Sequence, residues 1–532
     1  MKKEVLLGDE AVALAAYHAG LAAAFSYPGT PASEIMEYLI RLAHTHGDLQ
    51  ASWCVNEKVA YEEALGVSFA GRRALVSMKH VGLNVAADPF INSALTKIMG
   101  GLVVAVADDP GMHSSQNEQD SRYYAHFGRI FCFEPSSHQE AYEMTQWAFD
   151  LSEKFHIPVM LRLVTRLSHS RSSVLSGPKK ESPLLPRGNG PDWTLLPSNA
   201  RRRFAELLHL QKDLQEESEK SPFNKLLLSP SRQRLGIIVA GLGYNYVMEN
   251  IRHLQEKPSL LKISTYPLPI KLIHELIKVS DEILIVEEGY PFIEERIRGI
   301  FGLPETKIKG KLSGDLPLSG ELTPDLVREA LGLPSLPQEK TKDLPLASRP
   351  PQLCPGCPHH DTFMALKEVL QDYQQPTVFS DIGCYTLAAL PPIQAIDTCV
   401  CMGASVSMAK GGAQAGIFPS VAVIGDSTFT HSGMTSLLDA ASAKVNMTVI
   451  IVDNAVVAMT GGQPTYATGE KLVKICTGLG VAPEHIRQII PLPKNKEKNK
   501  QVIKEEIDYQ GTSVIISTRE CIQELKKRVK GR

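Results

Sequence analysis

Residues 420–465 read SVAVIGDSTFTHSGMTSLLDAASAKVNMTVIIVDNAVVAMTGGQPT and contain a clear strand–helix–strand pattern. One apolar run ends at Asp426, a second ends at Asn454, and a helical segment at 432–443 separates them. Asn454 follows Asp426 by 28 residues, which fits one unit of about 30 residues with two parallel strands joined by a helix. We therefore predict that both side chains lie at the carboxyl edge of a parallel sheet, where such sheets bind ligands.

These residues are suitable for holding Mg²⁺ together with a diphosphate. Mg²⁺ takes about six oxygens and usually shares them with substrate phosphates. The carboxylate of Asp426, the amide oxygen of Asn454 and a carbonyl such as that of Val456 would leave positions for two phosphate oxygens and a water. Gly425 permits a sharp exit from the strand. Ordinary turn and cap residues are the alternative, but the spacing and the glycine-rich segment 458–465 favour the diphosphate site.

The same alternation of helical patterns and short apolar runs recurs elsewhere and predicts a multi-domain α/β protein with doubly wound parallel sheets. Apolar runs at 74–78, 101–108 and 157–164 indicate strands in the first part of the chain. The predicted organisation is a first α/β domain at 1–175, a linker with an amphipathic helix at 176–231, a small α/β domain at 232–335, a linker at 336–350 and a last α/β domain at 351–532.

Composition excludes several classes of protein. The chain has 532 residues, of which 43% are hydrophobic and 21% charged, and its formal net charge is -2. Such a balance gives no excess positive field for nucleic acid or anionic membranes. There is no run of eighteen apolar residues, and Asp9 and Glu10 interrupt the first apolar stretch where a signal peptide would need it to continue. We expect a cytoplasmic protein.

Nine cysteines, seven of them after residue 350, point to inorganic chemistry in the last domain rather than to disulfides. Cys354 and Cys357 form a CxxC in a loop, and Cys384 and Cys521 follow strand segments that can reach the same sheet edge. The four thiolates suit a [4Fe–4S] cluster. A redox pair, a zinc site or plain thiols remain alternatives.

The segment 425–465 resembles the thiamine diphosphate signature of 2-oxoacid:ferredoxin oxidoreductases, most closely the large (α) subunits of the indolepyruvate type. Five further segments resemble the same family: SYPGTPASEI (26–35), NEKVAYEEALG (56–66), CPGCPHHD (354–361), SDIGCYTL (380–387) and DTCVCMGAS (397–405). The resemblance implies a pyrimidine-binding domain at 1–175 and a diphosphate-binding domain at 351–532.

By this resemblance, thiamine diphosphate is bound through Mg²⁺ held by Asp426, Asn454 and the carbonyl of Val456. Gly425 and Ser427 flank the aspartate, and Ser427 occupies the third position of a motif that is commonly GDG. Met459, Cys401 and Met402 are further residues assigned to the cofactor. The residues alone favour packed rather than metal-bound thiols at Cys399 and Cys401.

The family places an activating glutamate at Glu57. A carboxylic acid that is hydrogen-bonded to the pyrimidine ring favours the imino tautomer of the cofactor. In this tautomer the cofactor's own nitrogen can remove the thiazolium proton. Without the resemblance, Glu57 would be interpreted as a solvated helix carboxylate. In related enzymes the cluster nearest to thiamine is held by a CxxC and two later cysteines, and this order matches Cys354, Cys357, Cys384 and Cys521.

Four residues are candidates for contact with the substrate. Thr30 resembles the threonine that contacts the substrate carboxylate, although a helix cap explains it equally well. His80 and His431 are candidate acid–base groups, but a lone histidine is more often structural. Met459 stands where pyruvate-oxidising members carry asparagine, and an apolar side chain there favours an aryl or branched 2-oxo acid.

The implied reaction is oxidative decarboxylation of an aryl pyruvate such as indolepyruvate to the acyl-CoA, with electrons passed through one [4Fe–4S] cluster to ferredoxin. A non-oxidative thiamine-dependent decarboxylase and an accessory electron-transfer subunit are the alternatives. Family large subunits usually continue into a ferredoxin-like tail, and no such cysteine runs occur here. We therefore expect a smaller partner subunit and a separate iron–sulfur subunit or ferredoxin, around a dimer of this chain.

Overall fold

The structure is a computed structural model that describes residues 2–181, 183–186, 188, 190–230, 233–299, 307–336 and 351–530. The chain divides into two compact units, Met1–Lys340 and Thr341–Arg532. The predicted linker at 336–350 lies, apart from Leu336, outside the described residues. None of the described helices is both long and apolar enough to cross a bilayer.

The first unit contains two parallel sheets and an antiparallel pair. Its strands are β1 Lys2–Leu7, β2 Ala23–Ser26, β3 Gln50–Trp53, β4 Ala74–Lys79, β5 Leu102–Asp108, β6 Cys132–Phe133, β7 Val159–Val164, β8 Arg171–Ser176, β9 Lys225–Leu227, β10 Gln233–Ala240, β11 Ser259–Ile263, β12 Thr265–Tyr266, β13 Ser280–Val286 and β14 Lys307–Lys309. Its helices are α1 Gly8–His18, α2 Ser33–His46, α3 Glu57–Phe69, α4 His80–Val85, α5 Ala87–Ser93, α6 Arg122–Phe127, α7 His138–Phe155, α8 Thr165–His169, α9 Gly190–Trp193, α10 Pro197–Lys220, α11 Gly243–Ile251, α12 Ile270–Lys278, α13 Phe292–Arg298 and α14 Pro324–Ala330.

The larger sheet of this unit has the strand order β12-β6-β7-β5-β4-β2-β3 and is parallel except for β12. Strands β4, β5 and β7 coincide closely with the predicted apolar runs, and every residue in them is buried. Continuous apolar strands of this kind belong to sheets covered by helices on both faces. The predicted α/β class with parallel sheets is confirmed.

The block at 232–335 supplies four strands of a second sheet, β14-β13-β10-β11-β9, inside the same compact unit. The edge strand β9 comes from the predicted linker and runs antiparallel to β11. Strand β12 nevertheless pairs with β6 of the larger sheet, and one hydrophobic core extends over both sheets. Buried ion pairs also join them, since the guanidinium of Arg122 lies 2.8 Å from Glu287. These contacts tie the two blocks together, and a separate small domain at 232–335 stays a prediction.

The second unit is built on the parallel sheet β15-β16-β17-β21-β20, with apolar clusters on both faces. Its strands are β15 Thr377–Ser380, β16 Ser420–Gly425, β17 Met447–Asp453, β18 Val456–Val457, β19 Gln463–Pro464, β20 Ile486–Ile489 and β21 Thr512–Thr518. Its helices are α15 Pro358–Leu370, α16 Ala404–Gln414, α17 Asp426–Thr428, α18 Met434–Ser442, α19 Glu470–Gly478, α20 Lys496–Asp508 and α21 Ile522–Lys530. Four of these strands were predicted from sequence, whereas β20 was missed.

Candidate functional site

Asp426 and Asn454 follow neighbouring parallel strands of the second unit. Strand β16 ends at Gly425, which is paired in register with Val452 near the end of β17. Asp426 begins the short helix α17, and its Oδ2 accepts a hydrogen bond of 3.0 Å from the backbone N–H of Ala455. The structure therefore brings the two segments together at the carboxyl edge of the sheet.

The Asp426 carboxyl is buried beside the Asp453 carboxyl. Burial, and then the neighbouring Asp453, raise the pKa of Asp426 well above its usual value, while backbone N–H groups of Ser427 and Ala455 lower it. Within the described residues, no cationic side chain stands among the main influences on that pKa. Two buried carboxyls with this surrounding are stabilised by a bound cation, so the residues fit Mg²⁺.

His359 orients the amide of Asn454. The Asn454 Nδ2 donates to His359 Nε2 over 3.2 Å, and its Oδ1 accepts the N–H of Val456 over 3.1 Å. Burial lowers the pKa of His359 to about 4, so the ring is neutral and able to accept this hydrogen bond. His359 lies in the CPGCPHHD segment, and no role for it was predicted from the sequence.

The loop after Asn454 carries backbone strain. Ala455 has a φ of 65°, a left-handed conformation that is uncommon for a residue other than glycine. Such strain persists where the surrounding structure over-determines the conformation, often at functional sites. Val456 then enters the β18–β19 ribbon, and Met459, at 60% exposure, lies in a helical turn between the two strands.

The four cysteines of the predicted cluster gather in the second unit. Cys357 and Cys521 are buried, and Cys354 and Cys384 are half-buried. Burial, followed by the charges of the other three thiols, raises the pKa of Cys384 to about 12. Cys357 immediately precedes α15, and the N–H groups of the next turn point at its sulfur. The backbone N–H of Cys521 donates to the Asn454 carbonyl over 3.2 Å.

The separation of these thiols bears on which metal they suit. Tetrahedral zinc, with Zn–S bonds of about 2.3 Å, holds its sulfurs about 3.8 Å apart. Among the described residues, the group whose ligand atoms all lie within 4.8 Å of one another is Asp9, Glu34 and His169, and no three of these sulfurs meet that distance. The four sulfurs are therefore not in the close arrangement that a bound zinc ion would impose.

The expectation that Cys399 and Cys401 are packed is wrong, because both are exposed. The backbone before them is fixed along the edge strand β15: Asp397 accepts the N–H of Val378, and the Thr398 hydroxyl bonds both the N–H and the carbonyl of Ser380. The segment that holds both thiols precedes α16, which begins at Ala404, and is not itself helical. Met402 is half-buried.

Glu57 is buried at the first position of α3 in the first unit. The Asn56 side chain caps this helix by accepting the N–H of Val59 over 2.9 Å. A Cβ on Gly82 would lie 2.6 Å from Glu57 Oε1, so the glycine lets α4 pass directly against the carboxyl. A solvated carboxylate, the interpretation from sequence without the resemblance, is therefore excluded.

The other candidates are divided between the two units. Thr30 is half-buried in the first unit, and it does not cap α2, because Ala32 is the N-cap residue. His80 begins α4, is buried, and contacts the Asn117 carbonyl through Nε2 at 3.2 Å. His431 is buried in the second unit within a π-helical turn, Phe429–Gly433, a geometry frequent at functional sites. The catalytic roles of these residues stay predictions.

Two family models and one solved structure match this chain. Residues 14–197 match the family "Pyruvate flavodoxin/ferredoxin oxidoreductase, thiamine diP-bdg", and residues 381–516 match "Thiamine pyrophosphate enzyme, C-terminal TPP binding domain". A solved 2-oxoglutarate:ferredoxin oxidoreductase from Magnetococcus marinus shares the fold, with a TM-score of 0.52 at 15% identity over 62% of this chain and 65% of that one.

Curated relatives cover nearly the whole chain. The indolepyruvate oxidoreductase subunit IorA of Archaeoglobus fulgidus is 38% identical over 98% of this chain and 86% of its own length. The subunit of the same name from Methanothermobacter thermautotrophicus is 36% identical over 98% of this chain and 87% of its own length. With both thiamine-binding regions matched, the chain belongs to the family of indolepyruvate oxidoreductase IorA subunits, the family that its motifs resemble.

Proposed function

We propose that this chain is the thiamine diphosphate- and Mg²⁺-binding subunit of an enzyme that oxidatively decarboxylates an aryl 2-oxo acid such as indolepyruvate. The products would be the acyl-CoA, CO₂ and reduced ferredoxin. The observation that carries the proposal is the buried pair of carboxyls, Asp426 and Asp453, beside Asn454 in the region that matches a thiamine-binding family. Among the described residues, no cationic side chain is a main influence on the pKa of Asp426. The names of the relatives support the substrate class.

When bound, thiamine diphosphate supplies the carbanion that adds to the keto carbon and accepts the charge left when CO₂ departs. The chain's residues bind and orient it. Asp426, Asn454 and the Val456 carbonyl offer three oxygens to Mg²⁺, with Gly425 and Ser427 leaving room for the diphosphate. The buried carboxyl of Glu57 would form a hydrogen bond to the pyrimidine ring.

The four cysteines Cys354, Cys357, Cys384 and Cys521 would hold one [4Fe–4S] cluster as the first electron acceptor. The proximity of the four thiols, whose charges act together on the pKa of Cys384, supports this assignment. The hydrogen bond from Cys521 to the Asn454 carbonyl would link the cluster loop to the Mg²⁺ loop.

The chain is proposed to work in the cytoplasm within a hetero-oligomer. The relatives are named as subunits, and a smaller partner subunit together with an iron–sulfur subunit or ferredoxin would complete the electron path. A dimer of this chain would form the centre of the assembly. Neither nucleic acid nor membrane is expected as a partner, in line with the net charge of -2.

The test is anaerobic titration of the assembled enzyme with thiamine diphosphate and Mg²⁺, combined with iron and sulfide analysis. We expect Mg²⁺-dependent binding and at least about four irons and four sulfides for each copy of this chain, because a partner iron–sulfur subunit would add its own. Asp426→Ala should abolish the binding, whereas Asp439→Ala, which removes an exposed carboxylate 67% accessible, should not. Unchanged affinity in Asp426→Ala would disprove the metal site.

The same measurements separate the alternatives. A non-oxidative decarboxylase would bind the cofactor but contain no iron, and an accessory electron-transfer subunit would contain iron but bind no cofactor. Rates with indolepyruvate, phenylpyruvate and pyruvate test the substrate class. Faster oxidation of pyruvate would refute the role of Met459 in favouring aryl substrates.

A further inference from the structure

A buried lysine lies beside the candidate substrate residues of the first unit. Lys79 is the last residue of β4, at the carboxyl edge of the larger sheet, and directly precedes His80. Only 9% of Lys79 is exposed. Its stem passes Gly29, since a Cβ added there would lie 3.2 Å from Lys79 Cγ and Cδ. Thr30 follows Gly29 in the chain, so the aliphatic part of the Lys79 side chain lies close to the backbone next to Thr30.

The ammonium group of Lys79 has spare hydrogen-bonding capacity. Nζ donates to the Ser114 carbonyl over 2.9 Å, which uses one of its three N–H groups. Within the described part of the chain, no carboxylate lies within ion-pair distance of it. Burial lowers the pKa of Lys79 to about 8, although Asp109 and Glu57 act in the opposite direction. A buried charge in this condition is stabilised by an anion that supplies the missing contacts.

The nearby carboxylate of Asp109 is already committed to other donors. It accepts hydrogen bonds from the Ser114 N–H at 2.8 Å and from the hydroxyls of Ser115 and Thr165, both at 2.7 Å. Ser114 in turn donates its hydroxyl to the Thr30 carbonyl over 3.3 Å. These bonds fix the loop around Lys79, and none of them uses its ammonium group.

We propose that Lys79 binds the carboxylate of the 2-oxo acid substrate, next to Thr30; this inference rests on the function proposed above. An ammonium with two unused N–H groups matches a carboxylate in charge and in hydrogen bonding. The cofactor's diphosphate is a less suitable occupant, because its candidate ligands Asp426 and Asn454 belong to the other thiamine-binding region.

The test compares two unreactive substrate analogues on the assembled enzyme loaded with thiamine diphosphate and Mg²⁺. Indole-3-propanoate keeps the carboxylate and lacks the 2-oxo group, and indole-3-propanamide replaces the carboxylate by a neutral amide. We expect Lys79→Met to weaken the binding of indole-3-propanoate by about 10- to 100-fold, the usual range for a hydrogen bond to a charged group. Binding of the amide should change less than about threefold.

Controls separate this role from a structural one. Lys58→Met, on the exposed side of α3, should change neither affinity. Lys79→Arg, which keeps the charge, should retain a preference for the carboxylate, and Lys79→Gln is a second neutral variant should the methionine variant not fold. An equal loss for both analogues, or an unchanged preference in the neutral variants, would overturn the proposal.

Two further results keep this proposal distinct from the proposed function. If the wild-type enzyme oxidises indolepyruvate and the neutral Lys79 variants retain the carboxylate preference, Lys79 is excluded while the function stands. If the wild-type enzyme oxidises no 2-oxo acid, the function itself fails. Titration with coenzyme A is the last arm, because weakened coenzyme A binding with unchanged carboxylate binding would assign Lys79 to its phosphates and overturn the proposal.

Discussion

Adding one methyl group at Gly82 should lower the catalytic rate while changing the stability of the protein little. Gly82 has no positive φ, so alanine is allowed there, and α4 should gain up to about 1 kcal/mol from its higher helix propensity. The new Cβ would lie 2.6 Å from Oε1, 2.8 Å from Cγ and 2.9 Å from Cδ of Glu57. Non-bonded carbon contacts are normally about 3.5 Å or longer, so the carboxyl must move by about 1 Å.

The consequences for rate and stability differ. Crowding of this kind costs about 1–3 kcal/mol, which the helix gain partly offsets, so the unfolding temperature should change little. A catalytic group displaced by about 1 Å can lose about 100-fold in rate. We therefore expect Gly82→Ala to lower kcat by about 100-fold in the anaerobic assay of indolepyruvate-dependent ferredoxin reduction.

Gly66→Ala is the matched control. Gly66 lies in α3 itself, and nothing is within 4 Å of a Cβ built there. Alanine at this position should raise the unfolding temperature and leave kcat unchanged. Wild-type kcat in Gly82→Ala, with the protein folded and the cofactor bound, would refute the role assigned to Glu57.

Three other variants test different parts of the structure. His359→Ala removes the acceptor that orients Asn454, and Mg²⁺ affinity measured by calorimetry should fall about 10- to 100-fold, the usual effect of losing a partner of a metal ligand. Burial raises the pKa of Asp9 from 3.8 to about 8. Because Asp9 ionises at lower pH in the unfolded chain than in the folded protein, the contribution of Asp9 to stability is present below pH 4 and is lost as the pH rises toward 8. Asp9→Asn should therefore raise the unfolding temperature at pH 7 and leave it unchanged at pH 4. Arg122→Met removes the ion-pair partner of the buried Glu287, and should cost about 3–5 kcal/mol of stability, measured as a lower unfolding temperature.

The strands that carry the site were predictable because their sequences are continuous and apolar. The predicted strand at 447–454 is β17, Met447–Asp453, and all seven of its residues are buried. Strand β20, Ile486–Ile489, was missed because its two central residues are polar and partly or fully exposed, as suits the edge of a sheet. Strand β12 has two residues and forms only through pairing with β6, which no local pattern reveals.

Side-chain roles were harder to predict, because burial decides them and burial depends on packing. In the pair His359-His360, helical periodicity was the available signal: His359 shares the inward face of α15 with Phe363 and Leu366, and all three are buried. Lys79 offered no comparable signal, because a lysine that ends a strand is usually exposed. Only the fold brings Gly29 against its stem.

The two units differ in the sign of the charge that their candidate sites leave uncompensated. In the first unit, Lys79 is a buried cation near Glu57 and Thr30, and it has N–H groups to spare. In the second unit, Asp426 and Asp453 are neighbouring buried carboxyls. Because an uncompensated buried charge is costly, each site favours a ligand of opposite sign. A 2-oxo acid is an anion and Mg²⁺ is a cation, so the uncompensated charges of the two units agree with the sites proposed for substrate and for metal.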